Sequence, residues 1–167
     1  FTFYDIDGNK IKEEQYRDGA LHGSFASWYT NGKMNVNCTY RNGKLDHKYT
    51  SWFENGNMKE DATYLDGDLV GSFTYWYENG NMKSDGAYVH GKLDGYYTAW
   101  SSDGIKLYQK SYETGLLHGI TTLWYESGIK KEEINYNSGK IDGLITYWRE
   151  DGELDKQIYY RNDFVDG

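Results

Sequence analysis

The sequence predicts an all-β fold built from a tandem repeat, and three observations carry that prediction. All six tryptophans, Trp28, Trp52, Trp76, Trp100, Trp124 and Trp148, are spaced by 24 residues without interruption. Two-residue turn signals ending in glycine recur at half that period. The composition, 18 Tyr and 20 Gly with no Pro in 167 residues, joins ring-bearing strand formers to the residue that best tolerates positive φ. Self-similarity at a fixed period is the signature of a repeat architecture, in which one supersecondary unit is stacked many times.

Further columns keep the same phase. Tyr16, Tyr40, Tyr64, Tyr88, Tyr112, Tyr136 and Tyr160 form one; Leu21, Leu45, Leu69, Leu93 and Leu117, continued by Ile141 and Val165, form another. Residues 64–87, YLDGDLVGSFTYWYENGNMKSDGA, show one complete unit: two extended runs separated by Asp-Gly and Asn-Gly. Such dipeptides accept the positive φ of type I′ turns, whose twist matches the strands they join, so each unit predicts two hairpin turns. The signals run Asp7-Gly8, Asp18-Gly19, Asn31-Gly32, Asn42-Gly43, Asn55-Gly56, Asp66-Gly67, Asn79-Gly80, His90-Gly91, Asp103-Gly104, Thr114-Gly115, Ser127-Gly128, Ser138-Gly139 and Asp151-Gly152.

One array over residues 1–167 follows: a half unit 1–15, full units 16–39, 40–63, 64–87, 88–111, 112–135 and 136–159, and a partial unit 160–167. The expected architecture is an elongated, single-layer antiparallel meander of stacked β-hairpins. It would have roughly 13 or 14 strands and, at about 4.8 Å per strand, a length of roughly 60 Å. His47 stands where Gly23, Gly71, Gly95, Gly119 and Gly143 recur, and Asp163 replaces a turn glycine, so a local change of turn is expected at both. The array starts and stops within a unit, which suggests a fragment or processed product with open sheet edges suited to edge-to-edge self-association.

Composition narrows function. With 38% hydrophobic residues, aromatic rings must supply much of the buried area, which favours a thin sheet over a sandwich. A net charge of −8 argues against nucleic acid and anionic lipid, whose recognition rests on clustered Lys and Arg, and favours basic partners. The lone Cys38 lies where other units carry Ala or Gly and reads as a small buried residue. His22, His47, His90 and His118 all adjoin turn positions, away from any nucleophile in sequence, and no GxSxG, HExxH, CxxC or Gly-Lys-Ser/Thr element occurs. No catalytic residue, metal ligand or cofactor is therefore assigned, and calcium lacks both EF-hand and nonapeptide spacing.

The pattern Tyr-x-x-Gly-x-Leu-x-Gly, a strand ending in Trp-Tyr, then Glu-Asn-Gly-Asn-Met-Lys resembles the bacterial variant of the MORN repeat; residues 88–100, YVHGKLDGYYTAW, are a good example. The resemblance spans essentially the whole chain. It implies a single-layer sheet of stacked hairpins that serves as an interaction module, and many bacterial arrays of this variant are grouped with YwqK-type antitoxins, which neutralise toxins by binding. The sequence leaves the compartment open between the bacterial cytoplasm and export, since the chain starts at Phe1 rather than Met and a leader could have been removed. A phospholipid role, as in eukaryotic relatives, fits the acidic charge poorly.

Candidate partner-binding residues are Phe53, Glu54, Tyr77, Glu78, Asp61 and Asp85. Carboxylates would steer a basic protein and the rings would anchor it. The tryptophan and tyrosine columns are assigned to structure, their rings packing from hairpin to hairpin. If the Asn-Gly turns are two-residue hairpins, Phe25, Phe53, Tyr77 and Met82 share the face of the tyrosines, while the tryptophans and Thr50, Thr74, Thr98, Thr122 and Thr146 take the other; a bulge in each unit would reverse this. A glycan- or wall-binding module is the competing function, because aromatic pairs beside Gly turns also stack on sugars.

Overall fold

A computed structural model describes residues 1–166, which contain only strands and turns. The chain forms two compact units, Phe1–Asn81 and the residues from Met82 onward. The first holds β1 (Thr2–Tyr4), β2 (Lys10–Arg17), β3 (Ala20–Trp28), β4 (Met34–Arg41), β5 (Lys44–Trp52), β6 (Met58–Leu65) and β7 (Asp68–Trp76). The second holds β8 (Met82–Val89), β9 (Lys92–Leu93), β10 (Gly95–Trp100), β11 (Lys106–Glu113), β12 (Leu116–Leu117), β13 (Gly119–Trp124), β14 (Lys130–Asn137), β15 (Lys140–Trp148), β16 (Leu154–Arg161) and β17 (Phe164–Val165). Within each unit successive passes of the chain pair antiparallel, the single-layer meander of hairpins that the period predicts. The strand count exceeds expectation because β9–β10 and β12–β13 are single passes interrupted at Asp94 and His118, and because a turn at Asn162-Asp163 adds β17.

The two kinds of turn differ, which corrects the expectation of type I′ geometry throughout. At Asn42-Gly43 both residues have positive φ (51° and 82°), and Arg41 pairs directly with Lys44, a two-residue type I′ hairpin. Its counterparts at Asp18, Asp66, His90, Thr114 and Ser138 do the same. At Asn31-Gly32 only the glycine is left-handed; the Gly32 N–H donates to Tyr29 O at 2.9 Å and the Tyr29 N–H to Lys33 O at 2.8 Å, closing a three-residue loop. One residue later the register slips: Ser27 faces Val36 but Trp28 faces Met34, leaving Asn35 as a bulge. Lys59, Leu107, Lys131 and Asp155 are the equivalent extra residues.

That bulge redistributes the faces. Pairing of Gly23 with Tyr40 and Phe25 with Cys38 puts Phe25 and the tyrosine column on one face, and strict alternation puts Thr50, Trp52 and their equivalents on the other. The methionines of the first unit move: Met34 and Met58 lie directly across from Trp28 and Trp52, so they belong with the tryptophans rather than the tyrosines.

His47 and Asp163 do not change the turns. Both hold the glycine conformation, with φ of 74° and 71°. Local side-chain bonds accompany this strained backbone: His47 Nδ1 lies 2.8 Å from Asp46 Oδ2, and the Ile141 N–H donates to Asp163 Oδ1 at 2.8 Å.

Burial sits on both faces. On the tyrosine face Cys38, Ala62, Phe73, Ala99 and Ile145 are buried, roofed by edge-to-face pairs such as Phe25–Tyr40 and Tyr49–Tyr64, with centroids 5.6 and 5.8 Å apart. Cys38 is the small buried residue expected, and burial pushes its thiol up to about 11. On the tryptophan face Thr98, Thr122 and Thr146 are buried, with Gln109 donating to Thr98 and Gln157 to Thr146 at 3.2 Å each. Successive repeats are clasped at the type I′ edge, where Gly43 donates to Leu21 O and Gly67 to Leu45 O at 2.8 Å.

Candidate interaction surfaces

The three-residue loops form a rim along one edge of each unit, and in the first unit the rim is tied together by side-chain amides. Asn31 Nδ2 donates to Glu54 O at 2.9 Å, while Asn55 and Asn57 both donate to Glu78 O, at 2.7 and 2.9 Å. Tyr29 adds an O–H bond to Trp52 O at 2.7 Å. An asparagine suits this place because its carbonyl also closes its own loop, as Asn55 Oδ1 does by accepting from the Asn57 N–H at 2.8 Å. The backbone under Glu54 and Glu78 is therefore fixed, while their carboxylates project into solvent without an ion-pair partner among the described residues.

Four of the six predicted residues meet at this rim. Phe53 and Tyr77 each open a loop, half-buried, next to Glu54 and Glu78. They lie beyond the paired strands and border the rim rather than lining the tyrosine face. Lys59 lies over the Phe53 ring, 5.7 Å from its centroid. Asp61 is separate: it sits on β6 between Thr50 and Thr74, on the tryptophan face, and is ion-paired with Lys48. Asp85 belongs to the second unit, opposite Thr98, where its Oδ1 is buried and meets no hydrogen-bond partner among the described residues.

The second unit repeats the rim. A cleft between consecutive loops is lined by Trp124, Tyr125, Glu126, Ser127, Lys131 and Glu150, with Tyr125 donating to Trp148 O at 2.8 Å. Lysines lie over its rings, Lys131 over Tyr125 at 5.5 Å and Lys106 over Trp124 at 5.0 Å, so an ammonium group already uses these faces. Among the described residues no group of three or more His, Cys, Asp or Glu is placed to hold a metal, and no helix is long and apolar enough to cross a membrane.

The MORN repeat variant matches residues 21–42, 45–66, 69–90 and 117–138, just over half of the chain. The chain belongs to this family. Its matched segments run from one leucine-bearing strand through the loop to the next type I′ turn, and residues 103–107, in the interval between the third and fourth matches, read Asp-Gly-Ile-Lys-Leu where residues 55–59 and 79–83 read Asn-Gly-Asn-Met-Lys. MORN repeats are non-catalytic modules that bind proteins or membranes. A comparison with curated proteins finds no match.

One column escaped the sequence reading. Tyr96, Ile120 and Leu144 are 64%, 49% and 41% exposed on the tryptophan face of the second unit. The signal was available, since these positions are Ser24, Lys48 and Ser72 in the first unit, but a column that varies carries no weight when repeats are sought by what stays constant.

Proposed function

We propose that this chain is a non-catalytic scaffold that binds a protein through a basic patch, in the role of an antitoxin or immunity protein that neutralises its partner by occupying it. The observation that carries this reading is the rim of the first unit, where Glu54 and Glu78 project unpaired from a backbone immobilised by Asn31, Asn55 and Asn57, beside the rings of Phe53 and Tyr77. A carboxylate whose backbone is already ordered loses little entropy on binding, and rim charges act mainly on the rate of encounter. The net charge of −8 favours a basic partner over an anionic membrane.

The test is recovery of the partner from the host, followed by association kinetics of the wild type and a Glu54→Lys/Glu78→Lys variant over a salt series. The expected outcome is roughly tenfold slower association of the variant and affinity that falls as salt rises. Co-expression with that partner should relieve its toxicity. Binding that is equal at low and high salt, or recovery of wall glycan or lipid alone, defeats the reading.

A further inference from the structure

The tryptophan face of the second unit carries a feature that the first unit lacks. Register places Tyr96 opposite Ser111, Ile120 opposite Asn135, and Leu144 opposite Tyr159, so one row across β10 to β16 alternates large apolar and small polar side chains. Asn135 is drawn down to the sheet by its 2.7 Å bond from Nδ2 to Leu144 O, which leaves Ile120 and Leu144 standing as ridges. Tyr159 closes the row, 45% exposed. The same row in the first unit reads Ser24, Thr39, Lys48, Thr63 and Ser72, all polar. The two units share strands, turns and bulges, so the scaffold does not require the apolar residues. A row of exposed apolar ridges that folding does not require marks a contact surface.

We infer that this row docks an amphipathic helix of a protein partner, an inference that rests on the scaffold reading above. Spacing selects the helix. Tyr96, Ile120 and Leu144 occupy alternate strands, so at about 4.8 Å per strand the ridges stand about 9.6 Å apart. Residues seven apart on a helix are separated by about 10.5 Å along its axis, a mismatch side chains absorb, whereas an extended strand repeats its face about every 6.7 Å. Area argues against a second copy. Four side chains about half exposed offer on the order of 400 Å², short of the roughly 800 Å² per partner of a stable interface, but enough for the apolar stripe of a short helix. Net negative charge argues against an anionic bilayer.

The probe is a synthetic Ala/Lys helix of about 21 residues with three leucines seven apart; its control has the same composition with the leucines spread around the helix. Titration into the isotope-labelled chain should shift the amides of Tyr96, Ile120, Leu144 and Tyr159, with the patterned helix binding at least tenfold more tightly than the control. Ile120→Thr and Leu144→Thr each place a β-branched, strand-compatible residue on the row and should each weaken the patterned helix roughly tenfold with melting temperatures unchanged. Equal binding of the two peptides, shifts elsewhere, a dimer by light scattering that Ile120→Thr dissolves, or binding confined to lipid vesicles would each overturn the helix dock. If the dock fails while partner binding still responds to salt and to the Glu54→Lys/Glu78→Lys variant, the scaffold reading stands alone; loss of both removes the two together.

Discussion

Thr121→Val should stabilise the second unit. Thr121 is 3% exposed on the tyrosine face, in the column that holds Phe25, Tyr49, Phe73, Tyr97 and Ile145 in other repeats, and its cross-strand neighbour is Ile134. Its Oγ1 is buried and meets no hydrogen-bond partner among the described residues. An unsatisfied buried hydroxyl costs about 1–3 kcal/mol of desolvation, and valine has nearly the same shape, so the substitution recovers most of that without a cavity or a clash. We expect a gain of about 1–2 kcal/mol. In urea, with a slope of about 2 kcal/mol/M, the midpoint rises by about 0.5–1 M at constant slope. Hydrogen exchange should localise the added protection to β13, β14 and their neighbours. Thr146→Val is the opposite control, because Thr146 Oγ1 accepts from Gln157 Nε2 at 3.2 Å; removing it should cost about 0.5–1.5 kcal/mol. If Thr121→Val is neutral or destabilising, the hydroxyl is paired in solution and the argument fails.

Phe73→Ala should cost about 3–5 kcal/mol, since the ring is 5% exposed and its removal leaves a cavity, whereas Glu78→Ala at the exposed rim should stay within about 0.5 kcal/mol; thermal melts that coincide would refute this ordering. Burial pushes the hydroxyls of Tyr40, Tyr49, Tyr64, Tyr112, Tyr136 and Tyr147 above the ordinary phenol value, with Glu60 adding to the rise at Tyr64. A raised folded value means that the fold holds these protons more tightly than the unfolded chain. Their contribution is thus complete below the unfolded phenol value near 10 and is lost as pH climbs through the folded values. Phenolate absorbance should titrate later in the native protein than in denaturant, and stability should fall steeply only in that alkaline range. Cys38, buried and with its thiol raised to about 11, should resist alkylation at neutral pH until the chain unfolds.

The fold was legible because it is periodic. Six tryptophans in one phase, the glycine turns and the absence of proline leave a meander of hairpins as the economical solution, and strand alternation put tyrosine and tryptophan columns on opposite faces. The loop type was not legible. Asn-Gly serves both a two-residue type I′ turn at Asn42 and a three-residue loop at Asn31, since both geometries need positive φ at glycine and differ in how the flanking strands close.

From that difference comes everything about which residues meet. The bulge after each three-residue loop carries Met34 and Met58 across to Trp28 and Trp52, and the rim gathers Phe53 with Glu54 and Tyr77 with Glu78 while leaving Asp61 on the tryptophan face. Sequence alone determined the period, the strand and turn positions and the acidic character, because local backbone preferences and side-chain chemistry are written residue by residue. Only the tertiary structure decided the register, the partners of each carboxylate and the exposure of Tyr96, Ile120 and Leu144, because a one-residue slip between strands changes every cross-strand neighbour without altering a single local preference.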